Sequence, residues 1–96
     1  MRLHHEGNFT VVSNTILRDN RLSLKTIGLF VKVLSLPSNW DFSEVGLANI
    51  CKDGITTIRS ALHELEDCGY LKRTKVYTKG KISDIEYDFY EHPVSN

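Results

Sequence analysis

Two helical patterns separated by a short break dominate the middle of the chain. Ser43 can accept a hydrogen bond from the first turn of a helix at about 44–51, and the glycine within residues 52–54 ends that helix in a sharp turn. A second helix is predicted at about 55–67, because apolar residues recur there at helical spacing. Two helices joined by so tight a turn are typical of a helix-turn-helix.

A longer helix is predicted before this pair. Ser23 can cap it, and Pro37 ends its apolar pattern. The residues expected to form its apolar stripe are Leu24, Ile27, Val31 and Leu34. Leu29 and Phe30 widen this stripe, as expected for a central helix that packs on more than one side. Further upstream, residues 9–13 are β-branched and aromatic, which predicts a short N-terminal strand, and residues 14–17 are expected to form a helical turn.

The last third of the chain has the pattern of a β-hairpin. Two strand-like segments, 70–77 and 82–90, flank a turn signalled by Gly80. Apolar and acidic residues alternate in the second segment but not in the first, so we expect only the start of the first to be buried. Residues 1–91 are expected to form one domain, and residues 92–96 have the composition of a tail or the start of a linker.

This order of elements predicts an α+β fold, a winged helix-turn-helix with three main helices, a C-terminal hairpin as the wing and a short N-terminal strand. In that architecture the helix after the turn enters the major groove of double-stranded DNA, and the wing contacts the backbone. Arg59 is the first candidate for reading a base, because its side chain can reach a guanine edge. The predicted DNA-binding residues are Thr56, Thr57, Arg59, Ser60 and His63 on the helix, and Lys72, Arg73, Lys75, Lys79 and Lys81 on the hairpin.

Charge is distributed unevenly along a chain whose formal net charge is +0. Residues 71–82 contain five basic residues and no acidic one, and residues 84–91 contain four acidic residues and no lysine or arginine. A basic hairpin favours contact with phosphates. Lysine-rich hairpins also prevent strands of different molecules from pairing at their edges, which is an alternative explanation of the same residues.

Other classes of function find little support in the sequence. Cys51 and Cys68 lack the spacing of a zinc site or a disulfide framework, so no metal and no cofactor is expected. Glu64, Glu66 and Asp67 fall near one helix end without a nucleophile motif or a phosphate-binding loop, so we expect no enzyme. No apolar run approaches the roughly 20 residues that span a bilayer, and no signal peptide is indicated, so a cytoplasmic location is expected.

A family resemblance covers the chain from about residue 9 to residue 91. Several segments resemble the winged-helix domains of phage replisome organisers and related DnaD-like or plasmid replication-initiation proteins. They are residues 22–37, Asn39-Trp40-Asp41-Phe42-Ser43, and the segments 46–48, 58–62, 64–66 and 69–71. The resemblance implies binding to origin or operator DNA, often as a homodimer. It also implies an N-terminal domain within a longer phage or plasmid protein whose C-terminal region recruits other replication proteins.

Two other functions are consistent with the same residues. A winged-helix transcription regulator would use the same surface, and only its DNA target would distinguish it. A winged helix that contacts protein instead of DNA is favoured by the zero net charge and by the acidic segment 84–91. Residues 9–17 lie outside the minimal helix-turn-helix and are apolar, so we expect them to mediate any dimer contact.

Overall fold

The described part of this computed structural model, residues 8–37 and 39–94, contains four helices followed by a two-stranded antiparallel sheet. The helices are α1 (Asn14–Leu17), α2 (Leu24–Leu34), α3 (Glu44–Asn49) and α4 (Ile55–Asp67), and the strands are β1 (Leu71–Thr78) and β2 (Lys81–Phe89). The predicted α+β class is confirmed, as are the three main helices, the helical turn and the hairpin. None of the helices in these ranges combines the length and the apolar character that crossing a membrane requires.

Serine side chains determine where three of the helices begin. The hydroxyl oxygens of Ser13, Ser23 and Ser43 accept hydrogen bonds from backbone N–H groups in the first turns of α1, α2 and α3, at 3.2, 3.3 and 2.9 Å. Helix α4 differs, because it follows Gly54 and has no side-chain cap. It ends before Gly69, whose φ of +85° is the left-handed conformation that glycine adopts at no steric cost.

The core lies where α2, α3 and α4 meet the base of the hairpin. Phe30 is its central aromatic residue, and its ring meets the rings of Tyr70 and Phe89 edge-on at centroid distances of 6.2 and 6.3 Å. The buried apolar residues are Ile16, Leu22, Leu29, Phe30, Leu47, Ile58, Ala61, Leu62, Leu65, Tyr70 and Leu71. One hydrophobic cluster therefore holds all four helices and the first residue of β1 together.

The predicted apolar stripe of α2 is wrong at Leu24 and confirmed at Leu29 and Phe30. Leu24 is 87% exposed, whereas Leu29 and Phe30 are buried, together with Thr26. Ile27 and Leu34 are partly buried against the core. Apolar residues surround most of the circumference of α2, so their spacing alone does not determine which face is buried. The face that carries the Phe30 ring is inside because this ring fills the space between Tyr70 and Phe89.

The predicted N-terminal strand is also absent from the described residues. Residues 8–13 have no strand hydrogen bonding, and the Val11 side chain is 76% exposed. The tendency of β-branched residues to form strands depends on their surroundings, and residues 8–13 form strand pairs with neither outer edge of the β1–β2 sheet. The segment instead leads into α1 through the Ser13 cap.

A hydrogen-bonded charge cluster fixes α1 to the C-terminal end of α4. The Asp19 carboxylate accepts hydrogen bonds from Arg21, at 3.0 and 2.7 Å, and from the Tyr70 hydroxyl, at 2.7 Å. These donors, with the Arg21 side chain as the largest contribution, hold the pKa of Asp19 well below its usual value. Burial, followed by the hydrogen bond to Asp19, raises the pKa of Tyr70.

Asp19 is therefore expected to make folding stability depend on acid pH. Its folded-state pKa is lowered, so its stabilising effect is fully present above the unfolded pKa of about 4 and is lost progressively as pH falls from there through the folded-state pKa. We expect Asp19→Asn to lower the urea midpoint clearly at pH 7 and by less at pH 2.5. Tyr70→Phe removes one hydrogen-bond donor to Asp19. It should also lower the urea midpoint more at pH 7 than at pH 2.5, but by a smaller amount. An Asp19→Asn effect of equal size at both pH values would contradict this role.

Candidate nucleic-acid interface

Helix α4 presents a polar face opposite its buried one. Ile58, Ala61, Leu62 and Leu65 point into the core, as their spacing predicts. Of the predicted contact residues on the other side, Thr56, Arg59, Ser60 and His63 are exposed, and Thr57 is half-buried. The helix therefore offers short hydroxyls and one long cation to a partner along a single side.

The start of α4 adds a positive partial charge to this face. Gly54 occupies the N-cap position and provides no side-chain acceptor for the first-turn N–H groups. These groups and the aligned peptide dipoles favour a negative group at this end of the helix. Thr56 lies in the same first turn, so its hydroxyl can donate to the same group.

Arg59 lies in a cleft between α3, α4 and β2. The cleft has a volume of about 370 Å³, and its lining includes Val45 of α3 and Ile82 of β2. The Arg59 side chain is 59% exposed, and its Nε lies 3.5 Å from Oε2 of Glu44. The predicted base-reading residue is therefore accessible, and it has an acidic neighbour that the sequence did not reveal.

The tip of the hairpin is a tight two-residue turn. Lys79 and Gly80 both adopt positive φ, at 54° and 76°, which matches the twist of the flanking strands in a primed turn. Thr78 pairs with Lys81 across it. The Lys79 and Lys81 side chains are exposed, so two ammonium groups border a glycine that allows close approach to a backbone.

The basic residues of the hairpin fall into two groups. Near its base, Lys72 lies opposite Asp88, and Nε of Arg73 donates to Oε2 of Glu66 at 3.0 Å. Towards the tip, Lys75 lies opposite Ile85, and the turn lysines follow. Lys72 and Arg73 therefore have acidic neighbours, whereas Lys75, Lys79 and Lys81 have no acidic residue directly opposite them.

A second set of cations, which sequence reasoning missed, lies beside the opposite flank of α4. Lys25 of α2 and Lys52 of the α3–α4 turn line a cleft of about 260 Å³ that also includes Thr57. Lys25 also lines an adjoining cleft with Thr56 and Ser60. Within the two described ranges, neither lysine forms an ion pair.

The sequence contained a signal for only one of these lysines. Lys52 lies two residues before the Gly54 cap of α4, so it could have been assigned to the same surface. Lys25 comes close to α4 only through the packing of α2. A third lysine of this flank, Lys32, donates from Nζ to the backbone carbonyl of Ile50 and is already engaged.

The cysteines and the potential metal ligands of the described residues do not form a site. Cys51 and Cys68 are unbridged and half-buried, and burial raises the pKa of the Cys68 thiol, which disfavours the thiolate. In the part of the chain that the structure describes, no three His, Cys, Asp or Glu side chains gather as a metal site would require. Val94 packs back on the end of α4, where its N–H donates to the Gly69 carbonyl at 2.9 Å.

The exposed face of α4 thus has cations on both flanks. Arg59 borders the cleft shared with the hairpin, and Lys25 and Lys52 border the clefts shared with α2 and the α3–α4 turn. No family model matches the chain, and neither a curated protein nor a solved structure is significantly similar to it.

Proposed function

We propose that this chain is a winged helix-turn-helix domain that binds double-stranded DNA, with α4 in the major groove and the β1–β2 hairpin as the wing. The observation that carries the proposal is the placement of cations on both flanks of an exposed polar helix face. An α-helix with its side chains is about 10–12 Å wide and the major groove is about 12 Å wide, so groups on the two flanks of the helix meet the two phosphate backbones.

The residues of α4 divide between phosphate contact and base reading. The hydroxyls of Thr56 and Ser60 are short and lie near the uncapped start of the helix, which suits a phosphate oxygen. Arg59 is long enough to donate two hydrogen bonds to a guanine edge. His63, one turn further along the same exposed side, approaches the backbone at the edge of the groove.

The cations on the flanks supply affinity without sequence preference. Lys79 and Lys81 approach one backbone from the wing tip, with Lys75 behind them. Lys25 and Lys52 approach the other backbone. Neutralising phosphates releases counterions, so binding should weaken steeply as salt is raised.

The biological role proposed for this binding is initiation of phage or plasmid replication at origin DNA. It is supported by the resemblance of residues 22–37, 39–43, 58–62 and 69–71 to replisome organisers. A homodimer would double the contacts of a helix that has Arg59 as its one cation. Transcription regulation would use the same surface, so selection of bound sites from genomic DNA distinguishes the two roles.

Arg59→Ala is the variant that tests α4 as the DNA-contacting helix. We expect it to weaken binding to the fluorescein-labelled duplex that the unaltered protein enriches most from a randomised library roughly five- to tenfold, because it removes a base contact worth about 1 kcal/mol or more. Arg18→Ala is the matched control, because Arg18 follows α1, beside the Asp19–Tyr70 contact at the other end of α4. It should change the affinity less than twofold. Equal losses in both variants would contradict the proposed orientation.

A further inference from the structure

A carboxylate stands beside the arginine that is expected to read DNA. Glu44 begins α3, and its position is fixed by the Ser43 cap, whose Oγ accepts from the Gly46 N–H at 2.9 Å. The Glu44 side chain is only 25% exposed, and Oε2 lies 3.5 Å from Nε of Arg59. The acid is thus held in place by the fold while the arginine is mostly in solvent.

The contact leaves most of the arginine in solvent. Glu44 is 3.5 Å from Nε, no other acid of the described residues forms an ion pair with Arg59, and the Arg59 side chain is 59% exposed. At 3.5 Å the pair is also longer than a charge-assisted hydrogen bond, and exposed ion pairs of this kind contribute little net free energy. Arg59 can therefore leave Glu44 at small cost.

Further negative charge and apolar surface surround the same carboxylate. Asp84 and Ile85 of β2 line the cleft with Glu44. Tyr87 also lines it, and burial together with the negative charge of Glu44 raises the pKa of Tyr87. A phosphate that enters this cleft to reach Arg59 would meet these carboxylates and be repelled.

We propose that Glu44 determines the sequence selectivity of duplex binding by making Arg59 a poor phosphate ligand and leaving it a good base ligand. This inference rests on the proposed function. On non-specific DNA, where Arg59 can only contact backbone, Glu44 opposes the phosphate. On a preferred site, Arg59 extends to a guanine edge deeper in the groove, and the Glu44 carboxylate can accept from a cytosine amino group.

Glu44→Gln is the test, with Glu91→Gln as its control. Both changes add the same charge, but Glu91 is an exposed residue that follows the base of the hairpin, away from Arg59. Affinities are measured by anisotropy for a random-sequence duplex and for the duplex that the unaltered protein enriches most from a randomised library. Urea unfolding of each variant confirms that α3, which loses an N-terminal acid, is still formed.

We expect Glu44→Gln to bind the random duplex about three- to tenfold more tightly while the ratio of selected to random affinity falls. Glu91→Gln should change both affinities equally and by less than twofold. In an Arg59→Ala background, Glu44→Gln should give no such gain, because the effect acts through the arginine.

Three results would overturn the inference. They are a library in which no sequence is enriched, a Glu44→Gln gain that is equal on both duplexes, and a gain that persists without Arg59. These results are distinct from failure of the proposed function, in which the unaltered protein binds no duplex even at low salt.

Discussion

Replacing Phe30 by alanine is expected to lower the free energy of unfolding by about 3 to 5 kcal/mol, the range found when a buried aromatic side chain is truncated. Phe30 is fully buried, and its ring contacts Tyr70 and Phe89, so the cavity would open where α2 meets the base of the hairpin. A domain of this size is stabilised by only about 5–15 kcal/mol. The variant should therefore be partly unfolded at modest urea concentrations.

Leu24→Ala is the matched control for that experiment. Leu24 lies on the same helix but is 87% exposed, so its truncation should change the free energy of unfolding by no more than about 0.5 kcal/mol. Urea denaturation followed by circular dichroism measures both variants. Similar losses in the free energy of unfolding for the two variants would contradict the described packing, because they would mean that α2 is rotated and that Leu24 faces the core.

Reversing two charges at the wing tip is expected to have the largest effect on binding. Lys79→Glu with Lys81→Glu removes two cations from a turn that has no acid opposite it and replaces them with groups that phosphates repel. The affinity for a random-sequence duplex at low salt should fall by more than about tenfold. The slope of the logarithm of the association constant against that of the salt concentration should become less negative by about 2, because two phosphate contacts are lost. Anisotropy titrations at several salt concentrations measure both quantities.

A second double variant separates position from net charge. Lys72→Glu with Arg18→Glu makes the same change in total charge, but Lys72 lies at the hairpin base opposite Asp88 and Arg18 follows α1. It should lose clearly less affinity than the tip variant. Lys79→Asn is a useful third variant, because asparagine tolerates the positive φ of this position while removing the charge. Equal losses in both double variants would mean that the wing tip has no special place in binding.

Local signals allowed much of the fold to be predicted from the sequence. Helix α4 has apolar residues at one consistent spacing and a left-handed glycine at Gly69, and the hairpin has its turn signalled by Gly80. The serine caps at Ser23 and Ser43 locate two further helix starts. Each of these features is decided by neighbours within a few residues, which is why spacing and residue type predict them.

The predictions that were wrong concern features that depend on tertiary packing. The strand expected at residues 9–13 has strand-forming residues but forms strand pairs with neither outer edge of the hairpin, and Leu24 is exposed because the Phe30 ring determines which face of α2 is buried. The candidate site shows the same division. The exposure of Thr56, Arg59, Ser60 and His63 followed from helical spacing, whereas the Lys25 flank and the Glu44 contact join residues far apart in sequence.

The salt dependence of duplex binding tests the central claim most directly. The unaltered chain is titrated onto a labelled random-sequence duplex at salt concentrations from about 50 to 200 mM, and the logarithm of the association constant is plotted against that of the salt concentration. The hairpin lysines Lys75, Lys79 and Lys81 and the opposite flank of Lys25 and Lys52 together predict a slope of about −4 to −5. No binding at the lowest salt, or a slope near zero, would contradict the account of this surface as a DNA interface.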